Sequence, residues 1–215
     1  MLSVCIPALN AAATLPATIA SLGEADEIVV ADGGSSDGTA SLPGATIIQA
    51  PRGRGTQLHA AAQAAKGDWL LFLHADTSLA TGWRAAAQAH IAAHPGKAAA
   101  YRFRLADPAW QARVIERGVA VRARALALPY GDQGLLISRV LYEQLGGYRP
   151  LPLMEDVDLV RRIGRNRLRL LPHNAVTSAE RWRREGWFTR SARNAHLLLL
   201  YRLGASPERL ARLYA

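Results

Sequence analysis

The chain has 215 residues, half of them hydrophobic, so it is long enough to bury a complete core and is most simply interpreted as one domain. An excess of 26 Lys and Arg residues over 17 Asp and Glu gives a formal net charge of +9, which favours an anionic partner. The single cysteine, Cys5, excludes an intrachain disulfide, and no apolar run approaches the roughly 20 residues of a membrane span. We therefore expect a soluble or peripheral protein of a reducing compartment that begins at Met1 without a signal peptide.

The first half of the chain alternates predicted strands with predicted helices. Short apolar runs of the kind that form buried strands occupy residues 2–7, 27–31, 46–49 and 69–73. Between them, helices are predicted from Asn10 towards Leu22 and from Gly53 to Lys66. This alternation predicts an α/β fold with a mostly parallel sheet covered by helices.

Two aspartates follow strands of this predicted sheet. Asp32 comes after the second strand and before a glycine turn, and Asp76 comes after the fourth. Because ligands of open α/β sheets bind beyond the carboxyl ends of the strands, we expect both carboxylates to face one crevice. Asp32 would meet the base or ribose of a nucleotide there. A turn-forming aspartate, as Asp37 is expected to be, is the alternative.

Metal and phosphate ligands are predicted beside these aspartates. Asp76 suits a hard divalent cation, because Mg²⁺ and Mn²⁺ prefer oxygen ligands. His74, two residues earlier on the same side of the strand, either ligates the metal, binds a phosphate or is a packed histidine. Arg52 and Arg54 flank Gly53 just before a helix and suit a diphosphate, with an exposed basic loop as the alternative.

The second half of the chain mixes helices and strands less regularly. Helices are predicted over 83–90, 110–126, through 141–145, from Met154 onwards and, as two helices separated at Gly204, over 187–214. Strands are predicted over 98–104 and 135–138. The helix over 110–126 carries arginines among apolar residues, so it either lies on an anionic membrane or packs on the core with an arginine face.

Charged residues of the second half complete the candidate site. Glu155 and Asp156 begin a helix that ends in arginines, so compensation of the helix dipole explains them as well as catalysis does. In the catalytic interpretation, Asp156 is the general base, and Glu155 or Asp158 supports it. Arg181 and Trp182 suit phosphate binding and stacking, with a solvated basic strip as the alternative.

Several segments stand in a characteristic order: VCIPALN (4–10), IVVADGGSSDGT (28–39), LLFLHADT (70–77), GGY (146–148) and MEDVDL (154–159). In order and spacing they resemble the family 2 glycosyltransferases, and the resemblance covers nearly the whole chain. LHADT (73–77), YGDQG (130–134) and Arg181-Trp182 resemble a compact bacterial subgroup of that family.

The resemblance implies a GT-A fold, a UDP- or GDP-sugar donor, a divalent metal cofactor (Mg²⁺ or Mn²⁺) and an inverting displacement without a covalent intermediate. It assigns the nucleotide-sugar to Pro7, Asn10, Asp32, Arg54, Asp76, Arg181 and Trp182. His74 stands where the family's Asp-x-Asp motif has its first aspartate, and Ser178 stands where related enzymes have the Gln of Gln-x-x-Arg-Trp.

The reacting groups implied by the resemblance lie mostly in the second half. The metal falls on Asp76 with His74, and the catalytic base falls on Asp156. We expect the acceptor side at Asp132, Gln133 and Glu155.

The expected protein is thus one GT-A domain over 1–215, with a donor half over about 1–100, an acceptor and catalytic half over about 101–185, and C-terminal helices over about 186–215. It would move a sugar to a hydroxyl of a lipid or glycan acceptor, in the cytoplasm or at the inner face of the membrane. A sugar nucleotidyltransferase and a catalytically inactive nucleotide-sugar-binding protein are the alternatives. Nucleic acid is not expected as a partner, because no recognition module is present.

Overall fold

The computed structural model describes residues 1–214, and the strand Leu2–Ala8 lies at the centre of its packing. Leu2, Val4 and Ile6 belong to the apolar cluster on one face of the sheet, and Cys5 belongs to the cluster on the other face. A strand buried on both faces is what its continuous apolar run predicts.

One sheet of eight strands forms the scaffold. The strands are β1 (Leu2–Ala8), β2 (Glu27–Asp32), β3 (Thr46–Gln49), β4 (Trp69–Phe72), β5 (Thr77–Leu79), β6 (Ala98–Leu105), β7 (Leu135–Ser138) and β8 (Leu168–Thr177). Their order is β3-β2-β1-β4-β7-β6-β8-β5. The first four pair in parallel, as do β6 and β8, whereas β7 is antiparallel to both its neighbours and β5 to β8. The predicted α/β fold with a mostly parallel sheet is confirmed.

Helices cover both faces of the sheet. They are α1 (Leu15–Ser21), α2 (Arg54–Ala64), α3 (Trp83–Ala93), α4 (Trp110–Leu126), α5 (Arg139–Gln144), α6 (Glu155–Ile163), α7 (Glu180–Glu185), α8 (Trp187–Arg202) and α9 (Pro207–Tyr214). Residues of α1 and α3 pack in one apolar cluster, and residues of α2, α5 and α6 pack in the other. No helix within residues 1–214 is both long and apolar enough to cross a membrane.

Two smaller apolar clusters attach the remaining helices. Ile115 of α4 and Trp182 of α7 pack with Phe103 at the end of β6. Leu197 of α8 and Leu210 of α9 pack against residues of α6. The C-terminal helices therefore lie on the helix that carries Glu155 and Asp156.

The first helix is shorter than predicted, because the residues before it are bonded elsewhere. It begins at Leu15 instead of Asn10, and Asn10 has a left-handed backbone with φ 50°. The backbone N–H of Ala11 donates to the Thr39 hydroxyl, and that of Ala12 donates to the Asp37 carboxylate. These donors are therefore used to hold the loop after β2, where Asp37 is the turn residue that the sequence predicts.

Three elements were not predicted from the sequence: β5, α7 and β8. In β8 the pairing with β6 shifts register between Ala100 and Arg102, and the skipped residues of β8 include Pro172. Proline has no N–H to donate to a ladder, so this irregularity is where a proline fits inside a sheet. It also interrupts the alternation that would have revealed the strand.

Candidate active site

Two adjoining cavities form a crevice at the carboxyl ends of β1 and β4. The larger has a volume of about 610 Å³ and the smaller about 120 Å³. Both are lined by Arg54, His74, Asp76, Ser178 and Arg181. The structure thus brings residues from three distant parts of the sequence to one boundary between two compartments.

The larger cavity is built on the loop that follows β1. Pro7 and Asn10, the residues expected to contact the nucleoside, line it together with Arg52 and Arg54. The Asn10 side-chain oxygen accepts a hydrogen bond from the N–H of Ser36 (2.9 Å), which fixes this loop to the one after β2.

Asp32 lies outside this lining, so the expected convergence of Asp32 with Asp76 is corrected. It is only 1 % exposed, and its carboxylate accepts hydrogen bonds from the N–H groups of Gly34 and Ser35 and from the Ser35 hydroxyl. Burial works to raise the pKa of Asp32, but the hydrogen bonds from Ser35 and Gly34 outweigh it, so the pKa lies below its usual value. In this structure the carboxylate shapes the loop.

Arg54 is held in the crevice by a buried partner. Its guanidinium Nη1 lies 3.0 Å from Oε1 of Glu155, whose side chain is 2 % exposed. The Glu155 charge raises the pKa of Arg54, whereas burial raises the pKa of Glu155 against the opposing effect of Arg54. Glu155 lines the larger cavity and not the smaller one that Asp132 lines, so these two residues, expected together on the acceptor side, lie apart, and Glu155 holds Arg54.

Three carboxylates line the smaller cavity. Asp156 and Asp132 line it together with Asp76. Asp156 Oδ2 accepts a hydrogen bond from the N–H of Gly131 (2.8 Å), so the base candidate is tied to the Gly131–Gln133 turn. Burial raises the pKa of Asp132 to about 6, with the charges of Asp156 and Asp76 adding to the effect and Arg122 opposing it.

Neither of the acidic neighbours predicted to support Asp156 does so. Glu155 binds Arg54, and Asp158 binds Arg162 (2.6 Å) and Arg149 (3.4 Å). Asp158 is therefore part of an ion-pair network within and beside α6. The backbone of Gly131 takes the supporting place.

His74 lies half-buried in the wall between the cavities, and its Nε2 atom is itself buried. Its Nε2 has no hydrogen-bond partner within residues 1–214, and a Cβ on Gly131 would lie 2.4 Å from that atom. Burial, followed by the positive charges of Arg54 and Arg181, lowers the pKa of His74 well below its usual value. A neutral imidazole with a free nitrogen suits a metal ion or a hydrogen-bonding ligand.

The side chains that could bind a metal here suit a divalent cation whose remaining ligands come from the substrate and water. Among residues 1–214, no three His, Cys, Asp or Glu side chains are arranged to enclose a metal. Mg²⁺ at diphosphate sites is held by one or two carboxylates together with phosphate oxygens and water. Asp76 and His74, with its unpartnered Nε2, offer the protein ligands of such a partly solvated and substrate-completed site.

The C-terminal helices supply a wall that the sequence analysis missed. Arg190, Asn194, Leu197 and Tyr214 all line the smaller cavity. Arg190 is 6 % exposed, stacks 4.8 Å from the Trp182 ring and bonds both carboxylate oxygens of the glutamate at position 185 (2.9 Å). The sequence predicts two helices here, but not which face of them meets the crevice.

The basic strip 181–184 divides into two parts. Arg181 and Trp182 line the crevice, as predicted. Arg183 is paired with Asp107, and Arg184 is 70 % exposed beside Glu185. The solvated basic interpretation therefore holds for the second pair.

Gln133 is not in the crevice, although it follows Asp132 directly. Its Nε2 donates to the carbonyl oxygen of Tyr101 (3.0 Å), and the side chain lines a separate cavity between α4 and the sheet. The turn sends its two side chains to different cavities. Gln133 therefore lies apart from Asp132, with which it was expected on the acceptor side.

The fold is of the GT-A glycosyltransferase type. Residues 3–118, more than half of the chain, match the sequence model of "Glycosyl transferase family 2", and the chain belongs to that family. No curated protein sequence matches it.

Solved structures of similar fold include proteins from three different organisms. TarS 1-349 from S. aureus in complex with UDP-GlcNAc is 17% identical (TM-score 0.63), with 82% of this chain and 58% of that chain covered. A mannosyltransferase, PcManGT from Pyrobaculum calidifontis with GDP-Man and Mn²⁺, is 20% identical (TM-score 0.65; 99% and 67% covered). Glucosyl-3-phosphoglycerate synthase from Mycobacterium tuberculosis with Mn²⁺, UDP and glucosyl-3-phosphoglycerate is 22% identical (TM-score 0.56; 82% and 70% covered). The chain thus spans less than two thirds of TarS 1-349, and at these identities the likeness concerns the fold.

Proposed function

We infer that the protein is an inverting glycosyltransferase that moves a sugar from a nucleoside-diphosphate sugar to an acceptor hydroxyl. The observation that carries this proposal is the pair of cavities that meet at Arg54, His74 and Asp76. A large compartment for a donor adjoins a small one that holds carboxylates. Similar folds were solved with UDP-GlcNAc and with GDP-Man, which supports a donor of this class.

The donor is proposed to lie in the larger cavity. Its nucleoside would contact Pro7 and Asn10, and its diphosphate would meet the guanidinium groups of Arg54 and Arg181. Asp76 and His74 would hold Mg²⁺ or Mn²⁺, which when bound stabilises negative charge on the departing diphosphate. The Mn²⁺ in two of the similar structures supports this assignment.

Asp156 is proposed as the general base. As the acceptor oxygen bonds to the anomeric carbon and the carbon–oxygen bond to the diphosphate breaks, the hydroxyl proton passes to the Asp156 carboxylate. The hydrogen bond from Gly131 orients that carboxylate in the smaller cavity. Trp182 and Arg190, which line the same cavity, are proposed to exclude water around it.

Turnover with UDP- and GDP-sugars tests the proposal. Purified protein with Mn²⁺ should release nucleoside diphosphate slowly without acceptor, and a chelator should stop the release. Asp156→Asn should lower transfer to a true acceptor by roughly 10²- to 10⁴-fold with donor affinity retained. Unchanged transfer would refute the base, release of pyrophosphate would favour a nucleotidyltransferase, and metal-independent binding without turnover would favour a binding protein.

The acceptor is proposed to be a lipid or a glycan, with the protein in the cytoplasm and in peripheral contact with the inner face of the membrane. Trp110, Val114 and Val121 of α4 are 44–65 % exposed and share one side of the helix, and Phe188 of α8 lies beside Trp110 (ring centroids 6.0 Å). Such a face suits the boundary between headgroups and acyl chains. Sedimentation with anionic vesicles should fall in Trp110→Ser, and a wild-type protein that stays in solution would refute the contact.

A further inference from the structure

A third cavity, which we name the arginine cavity, lies between α4, β6 and β8. Its volume is about 550 Å³, and it shares no lining residue with either cavity of the crevice. Five guanidinium groups and one carboxylate line it: Arg102, Arg104, Arg113, Arg117, Arg124 and Glu116.

Two rows of arginine make this lining. Arg102 and Arg104 are two residues apart on β6 and therefore share one face of the strand. Arg113, Arg117 and Arg124 recur at intervals of four and seven on α4 and therefore share one side of the helix. Both rows border the same cavity, so their positive charges converge.

The single carboxylate neutralises only part of this charge. Glu116 is paired with Arg104 (3.3 Å) and Arg113 (2.9 Å). Within residues 1–214, Arg102, Arg117 and Arg124 form no ion pair and no side-chain hydrogen bond. Exposed guanidinium groups gathered without a counter-charge repel one another, and a phosphate relieves this repulsion because it binds their N–H groups in pairs.

Gln133 adds a buried and unpartnered acceptor to the same lining. The residue is 2 % exposed, and its Nε2 donates a hydrogen bond to the Tyr101 carbonyl oxygen. Its Oε1 has no hydrogen-bond partner within residues 1–214. A buried carbonyl oxygen left without a donor costs stability, so the ligand of this cavity should bring a donor beside its negative charge.

We propose that the arginine cavity binds a phosphate ester that carries a hydroxyl group. Arg102, Arg117 and Arg124 bind the phosphate oxygens, and the hydroxyl donates to Gln133 Oε1. A soluble sugar or glycerol phosphate and the headgroup of a hydroxyl-bearing phospholipid share this chemistry. The site does not depend on the glycosyl transfer proposed for the crevice.

Binding of two probes tests the site and distinguishes a soluble phosphate ester from a phospholipid headgroup as its ligand. Glycerol 3-phosphate is titrated by calorimetry, and vesicles of phosphatidylcholine are sedimented with and without phosphatidylglycerol. Arg102→Ala/Arg117→Ala should weaken binding of the effective probe on the order of tenfold or more, since two charge-assisted contacts are lost. Binding of glycerol 3-phosphate identifies a soluble ligand, and binding of phosphatidylglycerol vesicles alone identifies a headgroup.

Two controls decide whether an effect belongs to this cavity. Arg202→Ala/Arg209→Ala removes the same charge from exposed positions on α8 and α9, and Arg181→Ala removes a cation from the crevice. Both should bind the probe as the wild type does. The proposal is overturned if neither probe binds the wild type, or if the controls weaken binding as much as Arg102→Ala/Arg117→Ala.

Discussion

The surroundings of Asp132 in the crevice disfavour the ionised form of its carboxyl group. Burial is the main cause of its raised pKa of about 6, and Oδ1 is buried without a hydrogen-bond partner within residues 1–214. Asp156 and Asp76 add to the effect, and the arginines at positions 122 and 54 only partly offset it. A cation beside Asp132 would therefore stabilise its ionised form.

Asp132→Asn should stabilise the metal-free protein above pH 6. The unfolded chain loses this proton near the ordinary pKa of 3.8 and the folded chain near 6, so the native carboxyl reduces stability progressively as pH rises between these values. Removing the charge should recover at most about 3 kcal/mol above pH 6 and nothing below about pH 4. Thermal unfolding in chelator across this range measures the difference.

The exposed Glu143 supplies the control for that measurement, because its side chain is 58 % exposed. Glu143→Gln should change the melting temperature by a small amount without the step between pH 4 and 6. If the melting temperatures of the two variants changed with pH in parallel, Asp132 would not titrate as stated.

Single residues of the candidate site were predictable where a short motif carries the chemistry. Arg54, His74, Asp76 and Asp156 were expected from their places at strand and helix ends, and all four meet in the crevice. Glu155 was misplaced because adjacent residues in the first turn of a helix point in different directions, and sequence does not show which one a distant arginine will meet.

At the scale of elements, the start of α2 depends on a close approach to the loop before α6. A Cβ on Gly55 would lie 2.2 Å from the carbonyl oxygen of Arg149 and 3.2 Å from the Glu155 side chain. Glycine therefore lets the two segments touch, which brings Arg54 within reach of Glu155.

Gly55→Ala should separate these segments and weaken the Arg54 pair. We expect a loss of about 1–3 kcal/mol in stability from overpacking, with weaker binding of the nucleotide. Gly118→Ala is the matched control, since it lies inside α4 with no atom within 4 Å of the added Cβ, and should gain roughly 0.5–1 kcal/mol. Urea unfolding of both variants measures the change in the free energy of unfolding, which should be a loss for Gly55→Ala and a gain for Gly118→Ala. An unchanged stability of Gly55→Ala would contradict the packing argument.

Periodicity determined which elements could be predicted. The bounds of α4, β3 and β7 match the prediction, because each is a continuous pattern of one period. The irregular strand β8 carries Pro172, β5 has three residues, and α7 has six with several charges. Such short or interrupted elements are held by tertiary contacts that no local pattern records.

At the scale of the whole molecule, the last two helices complete the smaller cavity. Arg190 joins Trp182 of α7, Glu185 and, through Nη2, the Tyr214 hydroxyl (3.4 Å). The larger cavity has no lining residue beyond Arg181 within residues 1–214. With the donor proposed in the larger cavity and the acceptor in the smaller, their binding should respond differently to changes in α8.

Arg190→Met should lower transfer on the order of tenfold by raising the KM for the acceptor, because the stacked wall beside Trp182 is lost. Donor affinity, measured by calorimetry, should stay unchanged. Arg202→Met, on the exposed side of the same helix, is the control and should leave both quantities alone. An equal loss of donor affinity in Arg190→Met would show that the two compartments are not separate.

The pairing of Arg54 with Glu155 joins positions 101 residues apart, and Thr77 meets Thr177 across 100 residues. Contacts of such long range form slowly, because the intervening loop must first be closed at an entropic cost. The Arg54 guanidinium, which would bind the diphosphate, is thus fixed only after both halves of the chain have come together. A nascent or partly folded chain would therefore lack this fixed guanidinium, and tight binding of a diphosphate should require both halves of the chain to be folded.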